Sequence, residues 1–439
     1  MENVTVIENR VDTEPSVVVW KPATKIAFRF AFGLFGLFIF PFPLSYIPYV
    51  SKIFGPYEKL WDKVIPWVGK HILRIGYDIL RVPTGSGDTT WGWVQAFCIL
   101  ALAVIATIVW SILDRKRPNY TKLYQWSAIV LRYSLAAAMF GYGLDKVFPL
   151  QMPSPRLSKL IEPYGDSSPM GILWTFIGAS KGYEIFTGAV ETIAGLLLIV
   201  PRTAMLGAML SAAAMFQVWM LNMCYDVPVK LYSFQLLLQG IFLMAPMLPR
   251  LADLLIFQRP AQPRPPQPLF DRAWANRTAL AVQILFGLFL FGSSAYTNYG
   301  YTKMPFGYLA EKPPLYGIWD MNDLTIDGQA KPPLVTDGAR WRRMIFQTAK
   351  FVTVQPMDGP MESISLDIDT NNKTMALTKP KDTNWKADLT YQQPSREELV
   401  VDGELDGHKV HAILARYDES KFLLTSRGFH WVQEFPFNR

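Results

Sequence analysis

The chain is poor in the residues that usually carry metal, haem and thiol chemistry. It holds 2 cysteines among 439 residues, Cys98 and Cys224, and neither stands in a CxxC or zinc-type spacing. Both border or enter apolar segments, where they read as small hydrophobes, and an iron–sulfur cluster has too few thiolates. Of the 4 histidines, His71, His408, His411 and His430, none lies inside an apolar segment, so a membrane haem with two imidazole ligands is not expected. No Ser-His-Asp order and no dinucleotide fingerprint occur. "GSGDTT" (Gly85–Thr90) lacks the Walker spacing and its lysine, and reads as a turn feeding a helix N-cap. No covalent or metal cofactor is expected.

Charge is scarce too. Only 18% of residues are charged, against about 25% in soluble domains. The deficit runs from Thr24 to Tyr296, and ordinary charge density returns after Gly317. Two physical regimes follow, one in the bilayer and one in water. The net charge of +7 does not point to nucleic acid, because the basic residues cluster in joints beside apolar runs. The N-terminal stretch 1–20 lacks the short apolar core of a cleavable signal, so the first apolar run reads as a retained anchor.

What is abundant is apolar sequence of spanning length. Seven runs hold the roughly 20 apolar residues that a bilayer needs. They are Thr24–Leu44, Trp91–Leu113, Leu123–Leu144, Lys181–Val200, Thr203–Asn222, Val227–Ala245 and Trp274–Tyr296. Arg10, Lys21, Lys25, Arg115, Lys116, Arg117, Lys122, Arg202, Arg250, Arg259, Arg264, Arg272 and Arg277 all fall on one side of that topology. The positive-inside rule makes that side cytoplasmic and the C-terminal domain external, in a bacterial-type cytoplasmic membrane. In the first external loop, "KIFGPYEKLWDKVIPWVGKHIL" predicts interfacial helices. Arg29, in the first span, reads as a snorkelling residue. "RPAQPRPPQP" (Arg259–Pro268) is an extended connector. The domains expected are 1–122, with two spans and the long loop; 123–257, a four-span core; 258–314, connector, seventh span and linker; and 315–439, soluble.

After Leu315 the period changes from helical to alternating. The runs "RRMIFQTAKFVTV", "ESISLDID", "KTMALTK", "WKADLTYQQ", "ELVVDGEL", "HKVHAILARY" and "KFLLTS" predict strands of an antiparallel barrel. The fold class is therefore an all-α membrane bundle plus a C-terminal β-barrel.

The fourth span carries charge inside hydrocarbon. Lys181, Glu184, Gly188, Glu191 and Gly195 follow helical steps of three and four and share one face. Glycines there admit a second backbone, and charged groups in a span usually face a partner or a cavity. The third span offers Arg132, Asp145 and Lys146. Glu184 and Glu191 lie about 10 Å apart along their axis and Arg132 and Lys146 about 21 Å, so Lys146–Glu184 is the easier pair. Arg132 is then the candidate bridge to Glu191, which otherwise stays protonated by desolvation. Two readings stand: ion pairs that staple helices, or a proton or substrate site built on Glu191, Glu184, Lys146 and Arg132. Lys181, with Asn222, Tyr225, Asp226, Lys230, Gln235 and Gln239 around the junction of spans five and six, would wall its outer mouth, or only tie a helix hairpin.

"LRYSLAAAMFGYGLDKVFPL", with its Gly-x-x-Lys-like end, and "AVETIAGLLLIVPR", with its acid before small residues, resemble the DoxX-like family of four-helix membrane proteins over Leu123–Phe257. That resemblance marks Gly143, Lys146 and Glu191, and it implies a quinone-linked redox component with a redox partner protein. Here Asp145 precedes the lysine and the loop Val147–Ser180 is long. "YGIWD", with Gly317 and Trp319, resembles the lipocalin Gly-x-Trp, with Arg427 as the arginine covering the tryptophan; this implies a barrel for one apolar ligand, lipid included, or else a side-chain-filled barrel that serves as a structural cap. A membrane-anchored lipid-binding scaffold is the non-enzymatic alternative.

Overall fold

A computed structural model describes residues 19–260, 268–304, 307–380 and 382–438. Arg10, Arg264 and most of the proline-rich connector lie outside the described residues.

The helices are α1 (Pro22–Ile39), α2 (Gly55–His71), α3 (Thr90–Leu113), α4 (Thr121–Val147), α5 (Leu157–Leu160), α6 (Pro169–Gly178), α7 (Lys181–Ile199), α8 (Ala204–Cys224), α9 (Lys230–Met244), α10 (Leu248–Leu255), α11 (Ala273–Thr302) and α12 (Leu423–Ser426). Seven helical segments among the described residues are long and apolar enough to cross a membrane, and each covers one of the expected spans. The chain is a multi-pass membrane protein. α2 is the expected amphipathic helix of the first loop; it buries Trp61, Ile65 and Val68 and leaves Leu60 and Trp67 exposed.

Two compact units divide the chain: the described residues up to Gly141 with Val190–Ser293, and Tyr142–Ala189 with Ser294–Arg439. In the first unit, small residues set the helix spacing. A Cβ on Gly195 would meet Phe140 at 2.6 Å, and one on Gly207 would meet the Leu198 backbone at 2.7 Å. Arg29 does not snorkel. It is 4% exposed, and its guanidinium donates to Tyr120 Oη at 2.8 Å, to Ser111 Oγ at 2.8 Å and to the Asp114 carbonyl at 2.9 Å. Four hydrogen bonds to three acceptors outweigh the attraction of the headgroup region, where it would gain only water.

In the second unit, β1 (Gly317–Ile326), β2 (Gln329–Ala330), β3 (Trp341–Thr348), β4 (Phe351–Pro356), β5 (Glu362–Asp369), β6 (Thr374–Lys379), β7 (Asp382–Ser395), β8 (Glu398–Leu405) and β9 (His408–Arg416) form one antiparallel sheet. Strands other than β2 pair in chain order, and β9 returns to β1 (Asp320↔Ala415, Thr325↔His411), so eight strands close a barrel. Alternation sends Trp319, Met344, Phe346, Leu366, Leu377 and Leu414 into one core. "RRMIFQTAKFVTV" is two strands, β3 and β4, joined at Ala349–Lys350. "KFLLTS" is not a strand: it forms a 3-10 turn and α12, because β1–β9 closure leaves no free edge to join.

Acid tests the barrel's surface caps. Asp369 accepts from the Asn371 and Asn372 amides and from the Asn372 side chain, and these bonds hold its carboxyl below the usual range. The His408 ring and the Lys409 amide do the same for Asp327. A depressed folded pKa means stability present above the unfolded carboxylate value, about 3.9, and lost as pH falls through the lower folded values. Barrel circular dichroism of the full chain is expected to hold from neutral pH to about pH 4 and to weaken below it. Asp369→Asn should flatten that acid limb; an unchanged limb contradicts the assignment.

Candidate functional site

The charged face of α7 is buried as its spacing predicts. Glu184, Gly188, Glu191, Thr192, Gly195 and Leu198 are all inaccessible, whereas Lys181 is exposed and sits 5.5 Å from the centre of the Tyr308 ring. The sequence therefore placed Lys181 on the right face, but the helix end lifts it out of the interior.

Within the second unit, the first half of α7 packs on the end of α4. A Cβ on Gly188 would stand 2.5 Å from the Gly143 carbonyl, 2.6 Å from Lys146 Cβ and 2.8 Å from the Val147 nitrogen. Two of those three are backbone atoms, which cannot step aside. Gly188→Ala is expected to cost about 1–3 kcal/mol and to lower the melting temperature in detergent; an unchanged melt would mean that these helices are further apart.

That close approach brings a polar cluster together. Glu184 is 0% exposed. Its Oε1 accepts from the Met152 amide at 2.9 Å, and its Oε2 is buried with no hydrogen-bond partner among the described residues. Lys146 is 6% exposed, lies over the Tyr142 ring, and acts on Glu184 electrostatically together with Lys181. Asp145 bonds the side chain of Asn298, itself buried near the end of α11. Asn298 was missed because the seventh span was ended at Tyr296; the polar "TN" within the helical run "AYTNYGYT" was its signal. The Met152 amide was invisible in sequence, since no residue type marks a backbone donor.

In the first unit, Arg132 takes other partners. It donates to Gln283 of α11 and lies 5.1 Å from the Tyr133 ring centre. The Tyr133 hydroxyl stands 2.7 Å from the Gln283 carbonyl and 3.1 Å from that of Ile199. Gln283 carried no signal beyond being an amide in an apolar helix. Glu191 is buried in this unit.

The residues around α8 and α9 form a hairpin tie. Asn222 donates to Ser233 Oγ at 3.0 Å, and Lys230 Nζ pairs with Asp226 at 2.8 Å. Asp88, from "GSGDTT", accepts from the Lys230 and Leu231 amides and so caps α9, while Thr89 caps α3. The turn thus caps two helices, one more than expected. Tyr225 and Asp226 are exposed, Gln235 is half-buried, and Gln239 is buried with Oε1 unpartnered among the described residues.

The cavity in the barrel bounded by Met321, Leu324, Met344, Val401 and Val410 measures about 30 Å³, room for a few waters and far below a ligand-sized site. Trp319 donates its indole N–H to the Leu315 carbonyl. Arg427 lies over Phe437 at 3.9 Å and donates to Gln433, so it is not the arginine packed against Trp319. The buried arginine of the barrel is Arg340, which donates to the Met321, Asn322 and Lys331 carbonyls.

Comparison with known proteins yields one relative of note. The chain is 34% identical over 108 residues to an uncharacterized protein, YwoB, of Bacillus subtilis (strain 168). The match covers 23% of this chain and 62% of that protein, so the chain spans less than two thirds of its relative. No family model matches the chain, and no solved structure matches it.

Proposed function

We propose that this protein is a proton-coupled component of the cytoplasmic membrane that acts on a lipid-soluble quinone, with Glu184 as its proton-bearing group. One observation carries the reading: a carboxyl fully buried in a membrane-spanning helix, with one oxygen held by the Met152 amide and the other without a hydrogen-bond partner among the described residues. A carboxyl fixed at one oxygen keeps the other free to give or take a proton. Two-electron reduction of a quinone takes up two protons. In this reading a redox partner protein supplies the electrons, and Glu184 and Lys146 handle proton and charge. An ionisable group inside a span is a functional hypothesis by default, because its burial is costly.

The likeness of the "GYGLDK" and "AVETIAG" segments to DoxX-like proteins supports the same reading, with Glu191 as a second acid. The barrel is read as a lipocalin-like external cap, and the basic joints as cytoplasmic. The cavity of about 30 Å³ between Met321 and Val410 gives the lipid-carrier alternative no support.

Titration of the purified full chain with a soluble quinone analogue tests the proposal. Saturable binding, weakened in Glu184→Gln, is expected; no binding, or binding unchanged in that variant, contradicts it.

A further inference from the structure

Past β9 the chain carries a segment that neither the barrel core nor the quinone reading uses. Gly428, at φ +70°, turns the chain after α12. Arg427 then gathers the next residues into a loop: it donates to Gln433 at 3.0 Å and lies 3.9 Å from the centre of the Phe437 ring. The loop turns its other large side chains outward. Trp431 is 91% exposed, Phe435 84%, and Phe429 and Val432 76% each. Phe429 and Trp431 meet edge to face at 5.0 Å, so the contact they make is with each other. Phe429, Trp431, Phe435 and Phe437 fall within Gly428–Asn438, a far denser run of rings than the 14% of the whole chain. A contiguous exposed apolar patch of this kind marks a contact site for a protein or a membrane.

We propose that this loop inserts its aromatic tip, Phe429–Phe435, into the headgroup region of the bilayer on the barrel's side, and so ties the barrel to the membrane surface. Three observations single out lipid as the partner. The first is position. β9 ends at Arg416, which pairs with Trp319, so the chain leaves the barrel at the end where β1 begins. Tyr417 and Phe422, at the root of the loop, pack with Tyr316 around Leu157, Ile318 and Ile345. Tyr316 is in turn close to the end of α11. The Leu309 amide donates to the carbonyl of Thr302, the last residue of that span, at 3.1 Å. Only residues 310–316 then separate the two, at most about 25 Å of extended chain. The loop is rooted at the membrane-joined end of the barrel.

The second is that the bilayer surface is marked at that end. Tyr296, Tyr299 and Tyr301, in the last turns of α11, are all exposed, as rings are where a spanning helix meets the headgroups. The 30 residues of α11 make a helix of about 45 Å, longer than the roughly 30 Å hydrocarbon core, so its last turns have length to stand in the headgroup region. The third is chemistry. Tryptophan and phenylalanine with flanking arginines, here Arg427 and Arg439 against the single acid Glu434, are the composition of interfacial anchors. At that depth water still reaches the backbone, so an irregular loop is tolerated where it would not be in the hydrocarbon. Pro436 lacks the N–H that the segment would need to add to another protein's sheet as a regular strand.

The experiment uses the full chain with Cys224→Ser, which removes the exposed native thiol and leaves the buried Cys98. A nitroxide attached at Val432→Cys is read in nanodiscs of equal parts phosphatidylglycerol and phosphatidylcholine. Oxygen concentrates in the bilayer and a nickel chelate in water, so relaxation by the two reports depth. The loop probe is expected to favour oxygen. A control at Glu404→Cys, beside the β8–β9 turn at the far end of the barrel, is expected to favour nickel. Trp431→Ser combined with Phe435→Ser should invert the loop reading to nickel and leave the melting temperature unchanged, because neither ring belongs to a core. A loop probe that favours nickel in the parent overturns the proposal, whether or not the double variant folds. So does an oxygen preference that the double variant leaves unaltered. A probe shielded from both reagents also overturns it, and assigns the loop to a protein interface. Glu184 and the quinone analogue play no part in these readings, so either proposal can fail without the other.

Discussion

Glu184→Gln is expected to leave the protein folded and to cut quinone-coupled turnover by about 10²–10⁴-fold, the usual worth of a positioned acid or base. Glutamine keeps the shape and an oxygen for the Met152 amide at 2.9 Å, but it carries no transferable proton. The fold should not suffer, because a neutral amide is cheaper to bury in a span than a carboxylate. Melting temperature and turnover are therefore expected to separate, with the first equal or raised and the second lost. The stapling account predicts the opposite pair: a lowered melting temperature and intact activity. Glu191→Gln, measured beside it, tells which of the two acids on α7 carries the chemistry. Lys146→Gln, which removes the cation acting on Glu184, should reduce turnover as well.

Arg29→Ala should be the most damaging change for stability in the first unit. The guanidinium satisfies Tyr120, Ser111 and the Asp114 carbonyl together, and Tyr120 in turn donates to Asp114 at 2.9 Å. Removing it leaves the buried Tyr120 hydroxyl and the half-buried Ser111 hydroxyl and Asp114 carbonyl without their donor, at a cost of about 2–4 kcal/mol. In detergent this should appear as a large fall in melting temperature or loss of a monodisperse peak. Arg29→Lys keeps the charge but not the fork, so it should be intermediate. An alanine variant as stable as the parent would contradict the network.

The outline of the fold was legible because its signals are local. Apolar runs gave the spans, so the expected Lys181–Val200 matches Lys181–Ile199, and "ELVVDGEL" matches β8 residue for residue. Alternation failed at "KFLLTS", where barrel closure decided and no local pattern records closure. Partners far apart in sequence were illegible for the same reason. Asp88 reaches Lys230 across 142 positions, Leu157 reaches Gln347 across 190, and Arg29 reaches Tyr120 across 91. The helical period put Glu184 and Glu191 on the correct face, but it could not tell which acid keeps an unpartnered oxygen. Arg132 was assigned to an acid on charge alone; an amide on α11, Gln283, holds it.

The central claim is that Glu184 carries the proton. Infrared difference spectroscopy of the full chain, recorded on addition of a quinone analogue, tests it most directly. The account predicts a carboxyl C=O band that changes on binding in the parent and in Glu191→Gln and is absent from Glu184→Gln. A band that persists unchanged in Glu184→Gln, or no carboxyl response in the parent, would contradict it.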